Sequence, residues 1–298
     1  MPPKAQPPRR GAPAKPAAKP AQRPAAPPPP RGAAQVPAVR QSTELAADVM
    51  ESMESMAGQG HDNATRDDLA IPFLAILQSL SPQVNKNKGE YVDGAEAGMI
   101  FNNVTGALYS GETGILVVPV AYARSITEWN TRDNGGGFVA DHGVNEDILR
   151  TCTRDDRNRD ITPDGTEVVK AGMHFVYLVD GETGAFEQAI ISMAKTQRKK
   201  SKKWLSTMAA RQLPRASGQG TFNPPSFGVC YRLTTIPESN DQGDWYGWAF
   251  KEECLTPELP GGADILAAAK QFRDQIAKGA VQVSAPVAEE GTADDPPM

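Results

Sequence analysis

The sequence predicts an α+β, β-rich body between two disordered ends: an OB-like small barrel or curved antiparallel sheet carrying two or three helices. Three observations lead there. The apolar segments after residue 71 are mostly short and β-branched, or alternate as strands do. Gly- and Asp-rich turn clusters separate them, whereas only two or three stretches have helical spacing. Proline, alanine and unbalanced charge collect at the two ends. This order fits a mixed β-rich domain better than alternating βαβ units.

Residues 1–40 hold 13 of the 26 prolines, 11 alanines, eight Lys or Arg and no acid. Such a segment has little to bury and is expected to be a disordered basic arm. Residues 41–70 read as a short helix, Ser42 to Ala57, and an acidic linker with Asp62, Asp67 and Asp68. Ser42 is placed to cap it, and Leu45, Val49, Met53 and Met56 recur at helical spacing. The body spans 71–279. Ile71-Pro-Phe-Leu-Ala-Ile-Leu-Gln is a buried apolar run of either type. Ile115–Tyr122 is a strand in which Pro119 marks an edge or a bulge, and Ser125–Trp129 alternates like a strand. Met173–Val179 and Ala185–Ser192 form a hairpin around Asp180-Gly-Glu-Thr-Gly. Lys195–Leu213 reads as a helix stopped by Pro214. Gly228–Ile236 and Trp245–Lys251 are further strands, and Asp264–Ile276 is an amphipathic helix. Residues 280–298 end in Glu289, Glu290, Asp294 and Asp295, an acidic tail expected to be disordered.

Charge and motif content narrow the function. The net charge of -5 conceals a basic arm of +8 on a remainder of -13. No apolar run approaches the ~18 residues of a membrane span. The basic start lacks the apolar core of a signal peptide. Three scattered cysteines make neither a disulfide framework nor a zinc site, which fits a reducing cytoplasm. There is no Walker loop, GxSxG, HExxH or Rossmann fingerprint, so no enzyme, cofactor or metal is expected. Asp156, Asn158, Asp160, Asp164 and Glu167 fit a calcium-loop spacing, but Ile161 replaces the turn glycine, and Arg154, Arg157 and Arg159 oppose a cation. A surface loop is the expectation there.

The strongest local feature begins at Lys195-Thr-Gln-Arg-Lys-Lys-Ser-Lys-Lys-Trp. Between Lys195 and Arg215 there are eight cations and no acid, inside an acidic body. Such a run repels itself unless an anion faces it. Lys195, Arg198, Lys199, Lys200, Lys202, Lys203 and Arg211 are therefore expected to meet phosphates. Trp204 is expected to stack on a base, with Trp129 as a second stacking candidate. Tyr122, Phe227, Tyr231, Trp245, Tyr246 and Trp248 are other strand aromatics, any one of which is more readily core.

Ile71–Pro82, Gly135-Gly-Gly-Phe, the Lys195–Trp204 run and Tyr231-Arg-Leu-Thr-Thr with Trp245-Tyr-Gly-Trp together resemble a group of tailed-bacteriophage proteins, over roughly residues 70–255. Part of that group is similar to phage single-stranded-DNA-binding proteins. The acidic end is similar to the tails of such proteins, although it closes on Pro296-Pro297-Met298 without a terminal phenylalanine. The resemblance implies a non-catalytic single-stranded-DNA-binding protein of phage replication or recombination, working in the host cytoplasm. Its partners would be single-stranded DNA and, through the acidic tail, replication or recombination proteins. The alternative is a virion or assembly protein whose basic arm contacts DNA; a metal nuclease using the Asp156–Glu167 loop is a third class.

Overall fold

The computed structural model describes residues 47–57, 59–60, 70–240, 243–279 and 281. The expected arm at 1–40, the capping Ser42, most of the acidic linker and the acidic tail from 282 lie outside the described residues. The chain divides into two units, 1–62 and 63–298. In the first, helix α1 spans Ala47–Ser55, inside the stretch whose apolar spacing predicts it.

The second unit is built on a curled antiparallel sheet of eight strands. Its axis is the long pair β4 (Ile115–Asn130) and β8 (Thr166–Val179). At one end of that pair the order is β13 (Gly243–Leu255), β12 (Val229–Asn240), β4, β8, β9 (Phe186–Ala194). At the other end β5 (Phe138–Gly143) takes the β12 side, and β7 (Asp160–Ile161) with β6 (Thr153–Arg154) takes the β9 side. The two segments expected at 115–122 and 125–129 are thus one strand, and it is central. Pro119 sits where the register shifts between Pro119 and Ala121. A bulge accommodates the missing N–H there without ending the strand.

The Asp180 hairpin forms as its residues dictate. Asp180 Oδ1 accepts from the backbone N–H groups of Glu182 and Thr183, and Gly184 adopts φ 75°. A Cβ at Gly184 would also lie 2.3 Å from the Pro260 carbonyl oxygen, so glycine is required twice over.

A small antiparallel sheet, β1 (Leu74–Ile76), β2 (Ile100–Asn102) and β3 (Leu108–Tyr109), closes part of the curl. Phe73 bridges to Ile190 of β9, and the Ile190 N–H donates to Pro72 O at 2.8 Å. Beyond β1, the Gln78 side chain meets the backbone of Tyr246 in β13 twice: Nε2 donates to its carbonyl at 2.9 Å, and Oε1 accepts from its N–H at 2.8 Å. Gln197 Oε1 accepts from the Trp248 N–H at 2.9 Å. Two glutamines therefore supply the partners that a neighbouring strand would have given the β13 edge.

Strand alternation divides the core in two. One face carries Val117, Val176, Ile191, Tyr231 and Leu233, covered by β1, β2 and helix α2 (Arg198–Ala210). The other carries Val118, Val120, Phe175, Tyr177 and Ile190, covered by helix α3 (Gly262–Ala277). The helix expected over Lys195–Leu213 is shorter at both ends. Lys195–Gln197 form a 3-10 turn in which Lys195 takes φ 41°. Past the helix, β10 (Leu213–Pro214) pairs with β11 (Thr221–Phe222) in a small hairpin.

Candidate nucleic-acid interface

Helix α2 carries the basic run, and its two sides are unlike. Gln197, Ser201, Trp204 and Met208 recur at helical spacing and face the sheet. Ser201 Oγ lies 2.8 Å from His174 Nε2. The His174 ring stacks on Trp204 at 4.7 Å between centroids, and Phe250 stacks on Trp204 at 5.8 Å. Tyr231 meets Trp204 edge-on at 5.7 Å. Burial pushes the His174 imidazole down to about 4, so it is neutral here near pH 7.

The stacking role expected for Trp204 is corrected by this packing. Its side chain is 0 % exposed, enclosed by His174, Phe250 and Tyr231, and no base can reach it. Its spacing from Ser201 and Met208 puts it on the apolar stripe, a placement that charge density alone cannot reveal. Trp129 is half-buried at the far end of β4, where Nε1 donates to Thr127 Oγ1 at 2.8 Å and the ring meets Phe138 edge-on at 5.3 Å. It lies opposite Glu167, the partner of Lys195, which places it near the start of the basic run.

The cations also separate. Lys195 pairs with Glu167 at 3.2 Å, Lys200 with Glu238 at 2.6 Å and Arg211 with Glu252 at 2.8 Å. These three tie the segment to β8, β12 and β13. Each pair is partly solvated and adds at most about 1 kcal/mol, so the ties position more than they stabilise. Lys199, Lys202 and Lys203 are exposed, and among the described residues no ion pair holds them; Arg198 is half-buried and likewise has none. Lys203 Nζ lies 5.9 Å from the Phe250 ring centre. Lys199 and Lys203 lie four residues apart in one row, about 6 Å apart along the helix axis. The surrounding sequence keeps acids away: residues 188–237 contain nine Lys or Arg and no Asp or Glu.

An aromatic ladder links the two flanks of α2. It runs from Tyr122, 40 % exposed and 5.1 Å from His174, through Trp204 to Phe250 beneath Lys203. Tyr122 is therefore an exposed ring next to the helix; the sequence placed it in a strand beside several similar aromatics, without a sign of which would reach solvent.

Two of the five residues at the calcium-like spacing, Asp160 and Glu167, are engaged in salt bridges, and the neighbouring Asp155 is too. Asp160 meets Lys170 at 2.6 Å and Arg154 at 3.1 Å, Arg159 Nε donates to Asp155 at 2.8 Å, and Glu167 pairs with Lys195. Among the described residues no group of three or more His, Cys, Asp or Glu is arranged to hold a metal ion. Nearby, the Glu128 carboxyl accepts from Thr166 and His142, and the Thr166 hydrogen bond, opposed by burial, draws it below the usual carboxylate range. These groups satisfy one another and staple the 131–166 region onto β4 and β8.

The profile of the Pam3 phage gp34-like protein family matches residues 40–282. The chain belongs to that family. Comparison with curated proteins and with solved structures gives no match. The match covers both the β-rich unit and the α1 segment, and it supports the phage affiliation that the sequence motifs suggest. Among the described residues no helix is long and apolar enough to cross a membrane.

Proposed function

We propose that this phage protein is a non-catalytic single-stranded-DNA-binding protein of DNA replication or recombination, acting in the host cytoplasm. One observation carries the reading: Lys199, Lys202 and Lys203 stand exposed and, among the described residues, without acid partners, in a 50-residue stretch free of acids, on a chain whose net charge is -5. A packed helix gains nothing from such a face, whereas a phosphate backbone does. In this reading Lys199, Lys202, Lys203 and Arg198 neutralise phosphates, and Lys195, Lys200 and Arg211 hold the helix in place. Tyr122 takes the stacking role that the buried Trp204 cannot fill. The arm at 1–40 adds sequence-independent affinity, and the acidic tail recruits replication or recombination proteins.

The test is a fluorescence anisotropy titration of the full chain with labelled single- and double-stranded oligonucleotides at two salt concentrations. Salt-sensitive binding that favours the single strand is expected. Absence of binding at low salt, with the protein found in purified particles, would favour the assembly reading instead.

A further inference from the structure

The hairpin after α2 has a residue that the fold does not explain. Of the nine phenylalanines, seven pack in the hydrophobic core and Phe138 packs against Trp129. Phe222 does neither; it is 38 % exposed in β11, within a run of exposed residues from Pro214 to Asn223. An exposed aromatic on a small polar hairpin adds little to folding.

The hairpin is nevertheless hydrogen-bonded to the end of the basic helix. Asn223 Nδ2 donates to the carbonyl of Ala209 in the last turn of α2, and Gln212 Nε2 donates to Asn223 Oδ1 at 2.6 Å. Arg215 Nε donates to Thr221 O at 3.1 Å across the hairpin, leaving the rest of its guanidinium exposed. Gly218 and Gly220, at φ 74° and 75°, shape the tip. A cation and an aromatic are thus presented together at the C-terminal end of α2, within the same acid-free stretch.

We infer that the 213–222 hairpin is a second contact for single-stranded nucleic acid, in which Phe222 stacks on a base and Arg215 takes the adjoining phosphate. The inference rests on the reading of α2 as a phosphate-binding face, and it extends the path of the strand from Lys199 and Lys203 to the end of the helix. Charge selects the occupant. A stretch of sequence without acids, flanked by lysines that no ion pair holds among the described residues, suits a polyanion with flat apolar rings, which a single strand offers and a paired duplex hides.

The experiment uses the full chain and fluorescein-labelled oligo(dT). Phe222→Ala should weaken binding about 5- to 150-fold, with the salt slope and the melting temperature unchanged. Phe222→Tyr should recover most of the loss. Arg215→Ala should flatten the slope of log affinity against log salt by about 0.7. If Lys199→Ala/Lys203→Ala weakens binding while Phe222→Ala and Arg215→Ala bind as the parent does, the hairpin contact is wrong and the α2 reading stands. If the parent does not bind oligo(dT), both fall. Should Phe222→Ala melt early, Arg215→Ala decides the matter through its salt slope, since it leaves the ring in place.

Discussion

Helices α2 and α3 cover opposite faces of one sheet, and their inner sides do the same work. Trp204 and Met208 pack onto the Val176 and Tyr231 face; Ile265, Ala269 and Phe272 pack onto the Phe175 and Tyr177 face. Their outer sides differ. Between Arg198 and Ala210 there are five cations and no acid, whereas α3 carries Lys270 and Arg273 against Asp264 and Asp274, with Arg273 paired to Asp274 at 3.0 Å. Docking a helix on this sheet therefore does not require a cationic outer face. The excess on α2 needs a different cause, and the proposed phosphate-binding role would supply one.

The largest expected effect tests whether the inner sides are equivalent. Trp204→Ala and Phe272→Ala should each lower stability by about 3–5 kcal/mol, since each empties a buried aromatic site. Urea denaturation measures both. A Trp204→Ala protein as stable as the parent would mean that α2 is loosely held and would reopen a binding role for its tryptophan.

Acid should distinguish the two helices next. His174 lies under α2, and burial holds it at about 4 when folded, against an ordinary value of 6.5. The unfolded chain then binds more protons between those values. The stability that neutral His174 contributes is complete above pH 6.5 and is lost as pH falls toward 4, by roughly 3 kcal/mol in all. Denaturation midpoints across pH 4–7 should show this dependence, and His174→Phe should flatten it. An unchanged profile in that variant would place the acid sensitivity elsewhere.

Gln197 gives a smaller effect. Gln197→Ala removes the acceptor of the Trp248 N–H at the start of α2, with an expected loss of about 1–3 kcal/mol in urea. Because that hydrogen bond helps to position α2, a modest drop in DNA affinity should accompany it.

The smallest changes in stability should come from the outer sides, where binding is the readout. Lys199→Ala/Lys203→Ala should melt like the parent and flatten the salt slope for single strands by about 0.7 for each phosphate no longer neutralised. Lys270→Ala/Arg273→Ala on α3 should change neither melting nor slope. Equal losses from both pairs would show that only net charge matters and would remove the distinction between the helices.

Much of the fold was legible in the chain, because strand alternation, turn chemistry and helical spacing are local properties. Asp180 and Gly184 specify their hairpin, and Ile265, Ala269 and Phe272 specify the buried side of α3. The concentration of cations in 195–215 was equally plain. Pairing was not legible. Whether Pro119 marked an edge or a bulge depended on β8 and β12 flanking β4, and those strands come from residues far along the chain. Which cations of the run are tied down depended on Glu167, Glu238 and Glu252, each on a different strand. Trp204 is the sharpest case. Sequence put an aromatic at the end of a cationic run, where stacking on a base and packing in a core look alike. Only the fold decided, by bringing His174, Tyr231 and Phe250 from three strands around one ring, because burial is a property of the surroundings and not of the residue.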